Sequence, residues 1–215
     1  MRLNTPVTAL LMGLFASKGL CAESPIQGYS IVDLEWEVEV SPGGPMQTFT
    51  GPIEKVVSEL VKINPTYLQD YKIPNATEAR MNRANNPRSV DGFEQRSSLE
   101  ARDKFGFTPS CTHRWTPCDA WIISDGVIYL RGVKGKPKNG PGPGNCGRVS
   151  CSYNSAIYWC NDNRSPKELN SFHDIADGAD SVLLKCSYGS LLQRRTGGQA
   201  FHPDKWNVIV RGDNC

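Results

Sequence analysis

The sequence has little histidine, the side chain most often used in acid-base catalysis and metal binding. Its only histidines are His113, His173 and His202, and their spacing matches no zinc-binding motif. It also lacks a serine or cysteine nucleophile motif and a phosphate-binding loop of the GK[ST] type. We therefore predict no catalytic residue, no metal site and no cofactor.

Long hydrophobic runs are also scarce, and the longest covers Val7–Ala16. This run follows a basic start and is too short to span a bilayer, which is typical of a secretory signal peptide. We predict a signal peptide over residues 1–22 and a secreted, extracellular protein without a membrane span. Cleavage after Ala22 would remove Cys21, whereas cleavage after Gly19 would keep it.

Cysteine is nearly absent from the first half of the chain. Seven of the eight cysteines lie in the second half: Cys111, Cys118, Cys146, Cys151, Cys160, Cys186 and Cys215. In an oxidising compartment this clustering indicates a domain stapled by disulfides. Three internal bridges would leave one of the seven either free or joined to a second chain, and the sequence does not specify the pairing.

The net charge of +2 hides an asymmetry between the two halves. Residues 23–102 carry 8 Lys/Arg and 12 Asp/Glu, whereas residues 103–215 carry 14 and 10. The boundary follows a polar stretch that we interpret as an exposed linker, and the stretch ends in Leu99-Glu-Ala-Arg102. That motif resembles the sites at which secreted fungal proproteins are cut by a subtilisin-like protease. Residues 23–102 are therefore either a propeptide or an N-terminal unit with a linker, and we expect cleavage at Arg102 to release a mature form beginning near Asp103.

In the first half, the hydrophobic pattern predicts a β-β-α unit. Residues 31–40 alternate between apolar and acidic side chains, which predicts one half-buried strand. Residues 46–50 can form a second strand after a Pro/Gly turn. Apolar residues then repeat at helical spacing from Ile53 to Val61, and Asn64-Pro65 should end that helix.

In the second half, the pattern predicts a small α+β domain with an antiparallel sheet and one main helix. We expect strands over residues 121–133, 148–153, 156–160 and 206–211. Ser165-Pro-Lys-Glu168 has the form of a capping box, so the helix should begin there and end at Cys186.

Residues 134–144 contain alternating Gly and Pro and three lysines. Because proline supplies no ladder donor and glycine no packing, we expect this segment to be an exposed loop rather than a central strand. Lys134, Lys136 and Lys138 are accordingly our candidates for contact with a target, such as an acidic polymer or a lipid surface.

Three short motifs concern the surface. Asn75-Ala-Thr77 and Asn163-Arg-Ser165 are glycosylation acceptors in a secreted chain, so Asn75 and Asn163 should be exposed. Arg211-Gly-Asp213 matches the integrin-binding tripeptide, and we interpret it as a chance match beside a terminal cysteine.

The second half resembles the small cystine-rich secreted proteins of filamentous fungi, many of them candidate effectors. It is more distantly similar to virus-encoded fungal killer toxins and their fungal relatives. The residues that carry the resemblance are the pair Cys111 and Cys118, the run Gly144–Cys151, the helix ending in Cys186, and the closing segment Trp206–Cys215. The resemblance implies a cystine-stabilised fold and secretion, and does not identify a target.

Our leading hypothesis is a secreted effector or toxin-like protein that binds a host or competitor protein or cell-surface component, with no nucleic acid expected. One rival is a small secreted hydrolase of ribonuclease type, in which His173 and His202 would act with Arg194 or Arg195. The other is a cystine-bonded protease inhibitor that would depend on an exposed loop such as residues 134–144.

Overall fold

The computed structural model describes residues 24–32, 34–75, 106–112 and 114–215. These residues form an α+β fold in which sheet predominates. The predicted signal peptide with Cys21, the Arg102 processing site and His113 lie outside the described residues, as does most of the predicted linker.

Twelve strands and four helices are present in the described residues. The strands are β1 (Ser30–Val32), β2 (Glu35–Glu39), β3 (Met46–Thr50), β4 (Thr108–Ser110), β5 (Cys118–Asp119), β6 (Gly135–Asn139), β7 (Asn145–Ser152), β8 (Ser155–Asn161), β9 (Lys167–Glu168), β10 (Arg195–Thr196), β11 (Gly198–His202) and β12 (Trp206–Gly212). The helices are α1 (Ile53–Ile63), α2 (Tyr67–Asp70), α3 (Ala120–Gly132) and α4 (Phe172–Cys186). A 3-10 turn covers Leu191–Gln193.

The larger sheet has the order β1-β7-β8-β12-β11-β4. All its pairings are antiparallel except β1 with β7. Helix α3 packs on this sheet through β7 and β8. Every residue of β8 is buried, because Ile157 and Trp159 lie in the main cluster and Ala156, Tyr158 and Cys160 lie in a second cluster with Trp115 and Ile209. Helix α4 packs against β4, β11, β12 and α3, so the core lies between this sheet and the two long helices.

The smaller sheet has the order β3-β2-β6-β9 and joins the two halves of the chain. Trp36 of β2 is fully buried, donates from Nε1 to the Gly51 carbonyl at 2.7 Å, and stacks on Phe172 of α4 with ring centroids 4.6 Å apart. The strand β3 and the helix α1 occupy their predicted positions. A separate β-β-α unit is not confirmed, because its residues share one hydrophobic cluster with the second half.

The predicted strand over residues 31–40 is divided between the two sheets. Its first part, β1, pairs with β7, and its second part, β2, pairs with β3 and β6. Leu34 is buried at the crossing point, directly over Gly147, where a Cβ atom would clash with the leucine side chain. The alternation is correct for β2, where Trp36 and Val38 are buried, but it did not reveal the change of sheet.

The prediction of a strand over residues 121–133 is wrong, because this segment is helix α3. Its N-cap is Asp119, whose side chain accepts a hydrogen bond from Trp121 N at 2.8 Å. The buried apolar residues Ile123, Val127 and Leu130 lie three to four positions apart, which places them on one helical face. The β-branched and aromatic composition favoured a strand, and tertiary packing overrides that propensity.

The predicted start of the main helix is also wrong. Glu168 belongs to β9, and α4 begins at Phe172 after a capping box formed by Ser171 and Asp174. The predicted end at Cys186 is confirmed. Because α3 is a second long helix, the prediction of one main helix is corrected as well.

Residues 135–139 form a strand rather than part of an open loop, which corrects that prediction. This strand, β6, lies between β2 and β9, with Lys136 and Lys138 exposed and Pro137 and Asn139 buried. Pro137 lies opposite Trp36 of β2 and just beyond the residues of β6 that pair with β9. The missing proline N–H is tolerated at this end of the short ladder, and the Pro137 carbonyl still accepts from Leu169 N at 3.1 Å.

Candidate functional site

Three disulfides staple the second half of the chain. They join Cys111 to Cys186, Cys146 to Cys160 and Cys151 to Cys215. Cys118 is the free cysteine among the described residues, and its thiol donates to the Thr196 carbonyl at 3.4 Å. Burial raises the pKa of Cys118 to about 12, so this thiol stays protonated and unreactive at neutral pH.

The lysine strand, which we define as β6 with Lys136 and Lys138, has carboxylate partners on both neighbouring strands. Lys138 Nζ lies 3.0 Å from a Glu37 oxygen and 3.8 Å from a Glu168 oxygen, and Lys136 Nζ lies 3.3 Å from Glu168. The hydrogen bond and charge of Glu37 raise the pKa of Lys138. The positive charge of this strand is therefore locally balanced, while Lys134 is exposed before it.

The residues of the hypothetical ribonuclease site have separate structural roles. His173 Nε2 lies 2.7 Å from the Arg131 carbonyl, which ties the start of α4 to the end of α3. Arg195 donates to the Pro117 carbonyl at 2.5 Å. His202 instead lines a cleft in which neither His173 nor Arg194 nor Arg195 takes part.

The His202 cleft has a volume of about 180 Å³ and lies beside the start of α4. The His202 ring stacks on Trp206 with centroids 4.7 Å apart and meets the edge of Phe107 at 5.2 Å. Its Nδ1 accepts from Asp204 N at 3.2 Å, and the Asp204 carboxylate lies 3.7 Å from the same nitrogen. The other residues that line the cleft are Lys167, Glu168, Leu169, Asn170, Asp174 and Asp177.

Most acidic groups of the His202 cleft are already engaged in the fold. Asp177 accepts from Arg131 at 2.7 Å, and Asp174 accepts from two backbone N–H groups as part of the α4 cap. Glu168 faces the lysine strand, and the Asp204 side chain is 69% exposed. The cleft thus offers one imidazole beside one exposed carboxylate, which differs from a paired-histidine site.

A second feature, missed from the sequence, is the 187–195 loop that follows α4. Its ends meet through two reciprocal backbone hydrogen bonds of 2.9 Å between Tyr188 and Arg195. The Cys111–Cys186 disulfide lies at its first end, and the β10–β5 pairing holds its second end. Leu192 within the loop is 77% exposed and Tyr188 is 56% exposed. The loop is therefore a fixed projection that carries apolar side chains into solvent.

The loop also depends on one glycine conformation. Gly189 has a φ of +92°, which side-chain-bearing residues rarely adopt, and a Cβ there would lie 2.5 Å from the Gln193 carbonyl oxygen. Gln193 N donates to the Ser190 carbonyl at 3.2 Å within the turn. These contacts explain how a short loop with little regular secondary structure keeps its shape.

The C-terminal tripeptide Arg211–Asp213 is held against the fold. The Asp213 carboxylate accepts a hydrogen bond from the Tyr158 hydroxyl and lies 3.9 Å from Arg148. Burial, together with this hydrogen bond, raises the pKa of Tyr158. The Asp213 side chain thus makes contacts within the fold. The interpretation of the tripeptide as a chance match stays a prediction.

The two predicted glycosylation sites differ in their surroundings. Asn75 is exposed at the end of the described segment 34–75. Asn163 is only partly exposed, and its Nδ2 donates to the carbonyls of Asp204 and Lys205 at 3.0 Å each. A glycan would replace one of the two hydrogens on that nitrogen, so glycosylation of Asn163 would disturb these hydrogen bonds.

Within the part of the chain that the structure describes, no group of three or more His, Cys, Asp or Glu side chains could hold a metal ion. Among the same residues, no helix is long and apolar enough to cross a membrane.

No model of a known protein family, no curated protein and no solved structure matches this chain.

Proposed function

We propose that this chain is a secreted fungal effector or toxin-like protein that acts by binding a component of a host or competitor cell. The signal-like N-terminus and the cysteine-rich second half support secretion, because disulfides persist in oxidising compartments. The resemblance to small cystine-rich fungal proteins supports the effector class.

The 187–195 loop is the observation that carries this proposal. Loops that a rigid scaffold holds in place commonly carry the residues that bind a partner. The 187–195 loop is such a segment: it exposes Leu192 and Tyr188, and the Cys111–Cys186 bridge lies at its first end. A binding function needs such a surface and requires no assembled set of reacting groups.

The ribonuclease alternative is less well supported. Its two histidines are engaged differently, with His173 bound to the Arg131 carbonyl and His202 stacked on Trp206 in the cleft. General acid-base catalysis needs both groups within reach of one reacting phosphate.

A cystine-bonded protease inhibitor is a second candidate, favoured by the same loop. A loop whose two ends are joined by backbone hydrogen bonds, as Tyr188 and Arg195 join this one, can occupy a protease cleft with little loss of conformational entropy. Arg195, which is exposed, would then suit a protease with an acidic specificity pocket, and residual trypsin activity in the presence of the protein tests this directly.

We further propose that Arg102 is cut and that the mature form begins near Asp103. The described residues before Arg102, up to Asn75, would then stay attached to the second half without a covalent link among the described residues. Trp36 stacks on Phe172, and Glu37 pairs with Lys138. Glu54 adds to this association by accepting hydrogen bonds from Ser150 Oγ and Cys151 N.

Two variants of the secreted protein separate binding from catalysis. Tyr188→Ser combined with Leu192→Ser should abolish growth inhibition or cell death in a sensitive cell type, whereas His202→Ala should leave the effect intact. Hydrolysis of total RNA is measured in parallel. Loss of both the cellular effect and RNA hydrolysis in His202→Ala alone would reject the binding proposal in favour of an enzyme.

A further inference from the structure

We propose that the 187–195 loop binds the surface of membranes that contain anionic phospholipids. Leu192 would enter the boundary between headgroups and acyl chains, and the exposed cations Lys185 and Arg195 would lie near the phosphate groups. This inference rests on the proposed function, because it names the component to which the loop binds.

The charge around the loop favours an anionic partner. Residues 181–203 contain no Asp or Glu and include Lys185, Arg194 and Arg195. One carboxylate, Asp119, lies opposite Arg195 in the β5–β10 ladder, and its side chain caps α3. Each Lys or Arg near an anionic bilayer strengthens binding roughly fivefold. Lys185 and Arg195, which are exposed, therefore have fewer carboxylates close in the chain than Lys136 and Lys138, which pair with Glu37 and Glu168.

The exposed side chains have the chemistry of a membrane interface. Leu192 is an aliphatic residue at 77% exposure, and Tyr188 is an aromatic residue with a polar hydroxyl at 56% exposure. Tyrosine is enriched at the level of lipid headgroups because its ring is apolar and its hydroxyl is polar. Aliphatic insertion beside basic residues is the usual combination in proteins that lie on a bilayer surface.

The loop is also prepared for binding before it meets a surface. The Tyr188–Arg195 hydrogen bonds and the Cys111–Cys186 bridge fix its ends, and Gly189 allows its turn. Because the loop is already ordered, association loses little conformational entropy, and a small apolar contact suffices when charges add to it.

The end of α1 offers a matched control. Lys62 and Ile63 are adjacent and exposed, with Ile63 at 51%. This pair combines one cation and one aliphatic side chain, as Lys185 and Leu192 do. It differs in having the carboxylates of Glu59 and Asp70 nearby in the sequence.

The test is co-sedimentation of the full-length secreted protein with vesicles. One set contains phosphatidylcholine alone, and the other also contains about 30 mol % phosphatidylserine as the anionic lipid. We expect binding to the second set only, weakened as salt is raised. Lys185→Ser with Leu192→Ser should lower the partition constant at least about tenfold, whereas Lys62→Ser with Ile63→Ser should leave it unchanged.

The results distinguish this inference from the function on which it rests. Equal binding to both vesicle sets, no binding by the wild type, or an equal loss in the Lys62/Ile63 variant would overturn the lipid proposal. If the Lys185/Leu192 variant then also lost its effect on cells, a protein partner of the loop would be indicated and the binding function would stand. If the variant lost vesicle binding but kept its full cellular effect, the loop would bind lipid and its part in the proposed function would fail. If a variant does not fold, the salt dependence of vesicle binding by the wild-type protein still tests the lipid proposal.

Discussion

The lysine strand and the 187–195 loop are both basic, and their surroundings differ. Lys136 and Lys138 lie beside Glu37 and Glu168, which the neighbouring strands β2 and β9 supply. The loop lies in a stretch without acidic residues and projects Leu192 into solvent. Strand pairing, rather than the local number of lysines, therefore determines where positive charge remains available to a partner.

The two regions also differ in how they are held. The lysine strand is paired along both edges and lies over the buried Trp36–Phe172 stack. The 187–195 loop is held near its base by one disulfide, by the contacts of Tyr188 and Arg195, and by a hydrogen bond of 3.0 Å from Ala120 N to the Arg194 carbonyl. Substitutions beside the strand should therefore affect stability, whereas substitutions within the loop should affect binding.

The largest effect is expected for Trp36→Ala. The indole is fully buried opposite Pro137 of the lysine strand, so its removal leaves a cavity and should lower the free energy of unfolding by about 3–5 kcal/mol. Leu192→Ala should change it by no more than about 0.5 kcal/mol. Urea unfolding measures both values. If Trp36→Ala lowered the free energy of unfolding by less than about 1 kcal/mol, strand β2 would not be part of the core that unfolds cooperatively.

A somewhat smaller effect is expected for Cys111→Ser combined with Cys186→Ser. Loss of this bridge, which spans 75 residues, should lower the free energy of unfolding by about 2–4 kcal/mol. It should also raise amide hydrogen exchange in the 187–195 loop. The control, Cys146→Ser with Cys160→Ser, should destabilise the protein without that local increase. Equal exchange in the loop for both variants would mean that the bridge does not fix it.

A third prediction concerns Cys118, on the strand that pairs with the second end of the loop. Its folded-state pKa of about 12 lies above the ordinary value of 9.0, so the thiol contributes stability that is complete below pH 9 and is lost as pH rises toward 12. From pH 8 to pH 10, the wild type should lose about 1.4 kcal/mol more than Cys118→Ala. Urea unfolding at both pH values tests this, and parallel pH profiles would show that the thiol is not buried in solution.

Much of the fold followed from long periodic patterns. Helix α1, strand β12 and the end of α4 lie where the sequence predicts them, because their apolar residues recur at one clear spacing. Helix α3 and strand β6 were not predicted. The β-branched and aromatic residues of α3 favour a strand, and the Gly and Pro residues of β6 disfavour one. In each case contacts from distant segments decided the outcome: α3 packs on β7 and β8, and β6 is enclosed by β2 and β9.

The candidate site was less predictable than the fold. The sequence does contain a signal, because residues 181–203 lack acidic residues and include the adjacent Leu191 and Leu192. Whether Leu192 is buried depends on the disulfide partner of Cys186 and on the β5–β10 pairing, and neither can be derived from spacing.

The smallest effect on stability is expected for the combined change of Lys134, Lys136 and Lys138 to Ser. Exposed ion pairs contribute little, so the free energy of unfolding should stay close to the wild-type value. If these lysines contact the target, as the sequence suggests, the cellular effect should also weaken. We expect that weakening to be smaller than the one caused by Lys185→Ser with Leu192→Ser, because Glu37 and Glu168 already balance the charge of the lysine strand. Dose–response curves for both variants, recorded at two salt concentrations, make the comparison. A larger loss in the lysine variant would assign target contact to the strand and remove the loop from that role.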